Sequence, residues 1–219
     1  MGNWASVYME IRLTDIAKHF GREVVFKNVN VTLTSGSRTA ILGPNGSGKS
    51  TLLQTIAGAL IPTGGTVQHL VNGRAIDQQE VYKHVSIAAP YLGLYEDLSL
   101  EQTVTFHARF KPLRPGVSPS EVTRIAYLES ALHKPVQHFS SGMKQRLKLA
   151  LAILSDTPLL LLDEPASNLD AQAIAWYREV LMKHLVGRTL VIASNRQAAE
   201  HDLCASAVEM EDYRADSRS

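Results

Sequence analysis

The sequence contains little cysteine, little net charge and no long apolar run. Cys204 is the only cysteine among 219 residues, which rules out an intrachain disulfide among them and fits a reducing compartment. The formal net charge is +1, so we expect no strong attraction to nucleic acid or to an anionic membrane. We also expect neither a membrane-spanning helix nor a secretory signal. With 45% hydrophobic residues, the chain is predicted to fold as a single domain over residues 1–219.

The most informative motif is the segment 43–50, which matches the phosphate-binding pattern G-x-x-x-x-G-K-[ST]. The apolar run 38–42 predicts a buried strand before it, and the spacing of 50–58 predicts a helix after it. Glycines allow backbone N–H groups and the helix N-terminus to approach phosphate oxygens closely. The predicted nucleotide contacts are Gly43, Pro44, Asn45, Gly46, Ser47, Gly48, Lys49, Ser50 and Thr51.

Two residues of this loop have specific predicted roles. Lys49 is expected to reach the β- and γ-phosphates, and the Ser50 hydroxyl is expected to ligate Mg²⁺. The alternative is a glycine turn before an ordinary helix, which the flanking strand and helix patterns disfavour. The loop alone does not separate kinases, GTPases and transport ATPases.

An acidic pair follows a second apolar strand. The leucines of 159–162 predict a buried parallel strand, and Asp163 and Glu164 follow them. Ligands bind beyond the carboxyl ends of such strands. We therefore predict that Asp163 holds Mg²⁺ and that Glu164 activates the attacking water as general base, the alternative being an ordinary polar strand end. Ser194 and Asn195 end a third predicted strand and are expected at the same edge.

The remaining pattern predicts an α/β fold of the P-loop NTPase type with a mostly parallel central sheet. Alternating residues in the first 33 positions predict an N-terminal antiparallel β subdomain, with a turn at 19–22. Helical spacing predicts an inserted helical subdomain over about 88–155, with helices capped at Ser99 and Ser118. Residues 211–219 are expected to form a flexible tail.

These motifs, in this order, resemble those of the nucleotide-binding subunits of ABC transporters over almost the whole chain. The segment 139–143 corresponds to the family's signature, and it stands just before the acidic strand. The resemblance implies ATP and Mg²⁺ as cofactors. It also implies three roles at the nucleotide. Phe20 would stack on adenine, and Asp170 would link the two sites. The signature residues Ser140, Ser141 and Gly142 would contact the γ-phosphate held by an opposite subunit. Without these motifs, the residues favour Phe20 as an edge aromatic that covers the core.

The resemblance further implies partners. Two copies, or this chain and a paralogous ATPase subunit, would close head-to-tail over two ATP molecules. A separate integral-membrane permease would hold them at the cytoplasmic side of the membrane, and no nucleic acid is involved. Tyr91, Leu92, Leu94 and Tyr95 either form the docking surface for that permease or pack on the helical subdomain.

Three departures from the family pattern bear on activity. The signature is Phe-Ser-Ser-Gly-Met instead of Leu-Ser-Gly-Gly-Gln, and Pro90 stands where the family has a metal-contacting glutamine. Asn195 stands where the family has a histidine, and an amide can donate a hydrogen bond but cannot become cationic. We predict a functional but slow ATPase whose catalytic residues are Glu164, Lys49 and Asn195.

Two other functions remain open from the sequence. One is a soluble ABC-type ATPase of an assembly complex, such as iron–sulfur cluster biogenesis. The other is an ATP-dependent dimerisation switch with very slow hydrolysis. The short chain and altered glutamine loop resemble the ATPases of haem-export and other small export systems. The transported substrate and the direction of transport do not follow from these residues.

Overall fold

Two β-sheets and a helical region make up the fold over residues 7–214, which are those that the computed structural model describes. The first sheet is antiparallel, with strand order β2-β1-β4-β5. Its strands are β1 (Met9–Phe20), β2 (Glu23–Leu33), β4 (Gly64–Val71) and β5 (Arg74–Ala75). Asn72 and Gly73 form the turn between β4 and β5, and both have positive φ, as a tight hairpin requires.

The second sheet is wholly parallel, with strand order β6-β7-β8-β3-β9. Its strands are β3 (Arg38–Leu42), β6 (Val85–Ala88), β7 (Leu159–Asp163), β8 (Thr189–Ser194) and β9 (Ser206–Glu209). Every residue of β7 is buried, because both of its faces are covered. Leu159 and Leu161 pack with the antiparallel sheet, whereas Leu160 and Leu162 pack with the helical region.

The helices cover the two faces of the parallel sheet. They are α1 (Lys49–Ile56), α2 (Gln78–Val81), α3 (Leu100–Phe110), α4 (Pro119–Ile125), α5 (Ser141–Leu154), α6 (Ala171–His184) and α7 (Ala198–His201). At the start of α3, Ser99 and Gln102 form a complete capping box. Ser118 caps α4 by accepting a hydrogen bond from the Glu121 amide at 3.2 Å. No helix within the described residues is long and apolar enough to cross a membrane.

The predicted α/β class with a parallel central sheet and a separate antiparallel sheet is confirmed. The predicted turn at 19–22 was wrong at its first two residues, because β1 continues to Phe20. Its pairing register shifts between Leu13 and Ile16, and Asp15 has a positive φ. This bulge interrupts the alternation that a sequence pattern detects. At the chain end, Met210–Tyr213 form a 3₁₀ helix, whereas residues 215–219 of the predicted tail lie outside the described part.

Candidate functional site

The loop between β3 and α1 has a backbone that its glycines make possible. Gly46 has φ 76° and Gly48 has φ 94°, in the region that favours glycine. A Cβ atom on Gly48 would lie 2.7 Å from Cγ1 of Val25, so a side chain here would collide with β2. The loop and the start of α1 line an open cavity of about 380 Å³, together with Val25 and Glu164.

A cation and a carboxylate face each other in this cavity. Lys49 is 4% exposed, and its Nζ donates a hydrogen bond to the Pro44 carbonyl oxygen at 3.0 Å. The same Nζ lies 3.9 Å from Oε1 of Glu164, whose side chain is 28% exposed. The structure therefore brings together two of the three predicted catalytic side chains.

Asp163 lies at the end of β7 with a carboxylate that lacks ordinary partners. It is 1% exposed, and neither carboxylate oxygen makes a hydrogen bond of normal geometry with any residue of 7–214. Burial raises the pKa of Asp163, while the nearby Ser50 hydroxyl and the Lys49 charge lower it. A buried carboxylate beside a hydroxyl supplies the oxygen ligands that Mg²⁺ prefers, so Ser50 and Asp163 fit this ion. Across residues 7–214 no group of three His, Cys, Asp or Glu side chains that could hold a metal ion converges.

A backbone hydrogen bond joins the ends of β7 and β8 next to this cavity. The backbone N–H of Glu164 donates to the Ala193 carbonyl oxygen at 2.9 Å, and Glu164 has φ 45°. Asn195 follows β8 directly and is exposed at the same edge of the sheet. Asn195 is not among the residues that line the cavity, so its predicted role stays a prediction.

Phe20 lies at the rim of the antiparallel sheet. It is 54% exposed and pairs across the β1–β2 turn with Glu23, which lines the cavity although Phe20 does not. The Nζ atom of Lys18 lies 4.9 Å from the centroid of the Phe20 ring. Stacking on adenine remains a prediction for this ring.

The predicted signature residues lie in a different cavity of about 490 Å³. Ser140 and Gly142 line it together with Asp170, whereas Ser141 is exposed in the first turn of α5. Ser140 caps α5 by accepting a hydrogen bond from the Met143 amide at 3.2 Å. None of these four residues lines the cavity of the phosphate-binding loop. One chain therefore keeps the two groups of predicted nucleotide contacts apart.

The structure gives Tyr91, one of the predicted docking residues, surroundings that the sequence did not reveal, and it shows two candidates that the sequence analysis missed, Lys111 and Glu200. Tyr91, one residue after Pro90, lies near Gln54 of α1. Its burial raises the pKa of Tyr91, and the negative charge of Asp163 raises it further. Lys111 and Glu200 are charged side chains in half-buried and buried positions. No motif marks these positions, because their surroundings come from segments distant in sequence.

The fold and the loop define a P-loop nucleotide-binding protein, and comparison with known proteins narrows the class. The profile of the ABC transporter family matches residues 26–167, so the chain belongs to this family, as an ATP-binding subunit. It is similar to the cytochrome c biogenesis ATP-binding export protein CcmA of Rhizobium meliloti, with 30% identity over 86% of this chain and 92% of the relative.

Two further comparisons are with an import protein and with a solved structure. The chain is 34% identical to the sulfate/thiosulfate import ATP-binding protein CysA of Brucella melitensis, over 94% of this chain and 60% of the relative. A solved structure of an ATP-binding subunit of an ABC transporter shares 27% identity, with a TM-score of 0.77 over 91% of this chain and 85% of that one. Relatives with opposite transport directions thus have comparable similarity to this chain.

Proposed function

We propose that the chain binds and hydrolyses ATP to power a separate membrane permease, and that two copies close head-to-tail over two ATP molecules. The observation that carries this proposal is the separation of the loop cavity from the signature cavity. Each cavity offers part of a nucleotide site, and a second copy in opposite orientation can supply the other part. ATP that contacts both copies favours the closed dimer, because it binds that state better than the open one.

Hydrolysis follows from the arrangement around Lys49 and Glu164. Glu164 accepts a proton from a water molecule while the water oxygen bonds to the γ-phosphorus. The bond from this phosphorus to the bridging oxygen breaks, and its electron pair stays on ADP. Lys49 neutralises charge on the phosphate oxygens. Asn195 donates a hydrogen bond to the γ-phosphate but carries no charge, so we propose slow turnover.

Ser50 and Asp163 would hold Mg²⁺ beside this reaction. When bound, the ion neutralises negative charge on the β- and γ-phosphate oxygens. Asp163 is suited to this role because its buried carboxylate oxygens have no hydrogen-bond partner of normal geometry in the described structure. Pro90 contributes no ligand, since its side chain has no donor atom.

An apolar groove on the helical side supports the permease as a partner. One cavity of about 530 Å³ contains Tyr82, Tyr91 and Leu92, and an adjoining one of about 310 Å³ contains Leu94, Tyr95, Phe106 and Phe110. His107 lines both, so the two cavities adjoin each other. Phe110 is 66% exposed and Tyr95 is 62% exposed, although Tyr95 packs edge-on against Phe106.

Lys111 gives this groove a charge preference. Its Nζ donates hydrogen bonds to the carbonyl oxygens of Tyr82 and of Val85, the latter at 2.6 Å. Burial lowers the pKa of Lys111 to about 8, and no carboxylate in the described part of the chain offsets this effect. We therefore propose that the permease segment presents apolar side chains and one carboxylate to this groove, and that the subunit sits at the cytoplasmic face of the membrane.

The decisive experiment removes the proposed base. Glu164→Gln keeps the shape of the side chain but cannot accept the proton, so we expect steady-state phosphate release to fall by about 10²- to 10⁴-fold. ATP binding should persist, and a dimer should accumulate in size-exclusion chromatography with ATP and Mg²⁺. Normal hydrolysis by this variant would contradict the assignment of Glu164.

Two further variants complete the experiment. Glu129→Gln makes the same chemical change at an exposed position on the helical side and should behave as the unmodified chain. Lys49→Ala should lose tight triphosphate binding, measured by displacement of a fluorescent ATP analogue. Retained triphosphate affinity in Lys49→Ala would contradict the phosphate role of the loop.

A further inference from the structure

Glu200 is a buried carboxylate to which the mechanism above gives no role. It lies in α7, is 1% exposed, and is held by hydrogen-bond donors from two other segments. Its Oε1 accepts a hydrogen bond from the Ala166 backbone N–H at 3.0 Å. Its Oε2 accepts a hydrogen bond from the Ser194 hydroxyl. Burying a carboxylate is unfavourable unless such donors compensate, so the position of Glu200 fixes both segments relative to each other.

Both donors are close in sequence to predicted catalytic residues. Ala166 is two residues after Glu164, and Ser194 directly precedes Asn195. One carboxylate thus bridges the segment that carries the proposed base and the segment that carries the proposed γ-phosphate donor.

The Ser194 hydroxyl is oriented by its own surroundings. Its oxygen accepts a hydrogen bond from the Gln197 backbone N–H at 3.2 Å, which leaves the hydroxyl proton for Glu200. Both contacts span the short connection between β8 and α7. This connection therefore has a defined conformation at the point where Asn195 leaves the sheet.

Glu164 itself needs restraint from its neighbours. Its φ of 45° lies in a region that costs a non-glycine residue about 1 kcal/mol or more, and surrounding contacts must maintain it. The bond from its N–H to the Ala193 carbonyl oxygen restrains the upstream side. The bond from Ala166 to Glu200 restrains the downstream side.

We propose that Glu200 is a positioning residue for ATP hydrolysis, which holds Glu164 and Asn195 in a fixed relation around the γ-phosphate. This inference rests on the proposed function and gives Glu200 no contact with nucleotide. A displacement of about 1 Å in a catalytic group can reduce turnover about 100-fold, so such a restraint has a measurable effect.

The test compares two substitutions of Glu200. Glu200→Ala leaves both donors without their acceptor, and we expect kcat to fall about tenfold or more. The KM for ATP should stay within about twofold, because Glu200 does not line the loop cavity. Glu200→Gln keeps an oxygen for Ala166 and offers an amide to the Ser194 oxygen, so it should restore kcat to near the original value.

Arg188 provides a matched control at the start of β8, the strand that ends at Ser194. It directly precedes β8, is 2% exposed, and donates hydrogen bonds to Ser86, Thr157 and the Ile153 carbonyl oxygen. Arg188→Met should lower the thermal midpoint, yet kcat measured well below that midpoint should remain unchanged. A merely structural role for Glu200 would make Glu200→Ala behave like this control.

Several outcomes would overturn the inference. They are an unchanged kcat in Glu200→Ala, a raised KM as its only effect, or equal loss in Glu200→Gln. If Glu200→Ala does not fold, Ser194→Ala removes one donor and keeps the Ala166 contact. This variant should then show a smaller kcat loss at constant KM, and normal kcat would count against the inference. If Glu164→Gln is inactive while Glu200→Ala is normal, only the proposal for Glu200 fails. If the original chain does not hydrolyse ATP, the proposed function is overturned as well.

Discussion

Replacing Lys111 by methionine should stabilise the fold at neutral pH and change how stability depends on pH. The lysine amine is largely buried, and this burial lowers its pKa from 10.5 to about 8. That difference corresponds to about 3 kcal/mol between the charged and neutral forms in the folded chain. The groove is open to solvent, so we expect a gain of about 1–2 kcal/mol in the free energy of unfolding when the charge is removed. Methionine keeps most of the apolar stem.

The sign of the pH effect follows from proton binding. Between about pH 8 and 10.5 the unfolded chain keeps its proton on Lys111 while the folded chain releases it. The unfavourable charge is thus fully present below pH 8 and disappears as the pH rises through this window. The original chain should therefore gain stability relative to Lys111→Met between pH 8 and 10.5. Urea unfolding of both chains at several pH values measures this difference.

Lys83 supplies a control with the opposite sign. It is exposed and paired with Glu80, which raises the pKa of Lys83 above its ordinary value. The stabilisation from this pair is present below pH 10.5 and is lost as the pH rises through the raised pKa. Lys83→Met should therefore lose stability at neutral pH. Parallel pH profiles for the original chain and Lys111→Met would refute the account of the groove.

Two other predictions concern turnover and docking. Asn195→His should raise steady-state phosphate release if the amide limits hydrolysis, and an unchanged or lower rate would count against that cause. Phe110→Asp should reduce recovery of membrane proteins bound to the tagged chain in a detergent extract, since it places a charge in the apolar groove, while ATP hydrolysis by the isolated chain should persist. Tyr8→Asp is the control, because Tyr8 is 69% exposed and does not line the groove. Equal recovery with both variants would argue against docking there.

The fold was predictable wherever local pattern and global packing agree. The run 159–162 is apolar throughout because β7 is covered on both faces, and the loop 43–50 is specified by its own glycines and lysine. The bulge of β1 near Asp15 escaped detection, since it changes the side-chain alternation without leaving a turn motif. Local signals thus located the strands but not the register between them.

The parts of the site that escaped prediction depend on contacts between distant segments. Glu200 looks like one more polar residue of a short helix until Ala166 and Ser194 are brought to it by the parallel pairing of β7 with β8. Lys111 looks like a solvated lysine until the fold places it over the carbonyl oxygens that follow α2. Both groups are charged, and both remain in positions where charge is unfavourable. Because a fold is only marginally stable, a charged residue in an unfavourable position lowers a small stability margin. A functional role would explain why such a residue is present. The pH profile of Lys111→Met and the kcat of Glu200→Ala are therefore complementary measurements. The first measures what a charge costs in stability, and the second measures what the two hydrogen bonds accepted by Glu200 contribute to turnover.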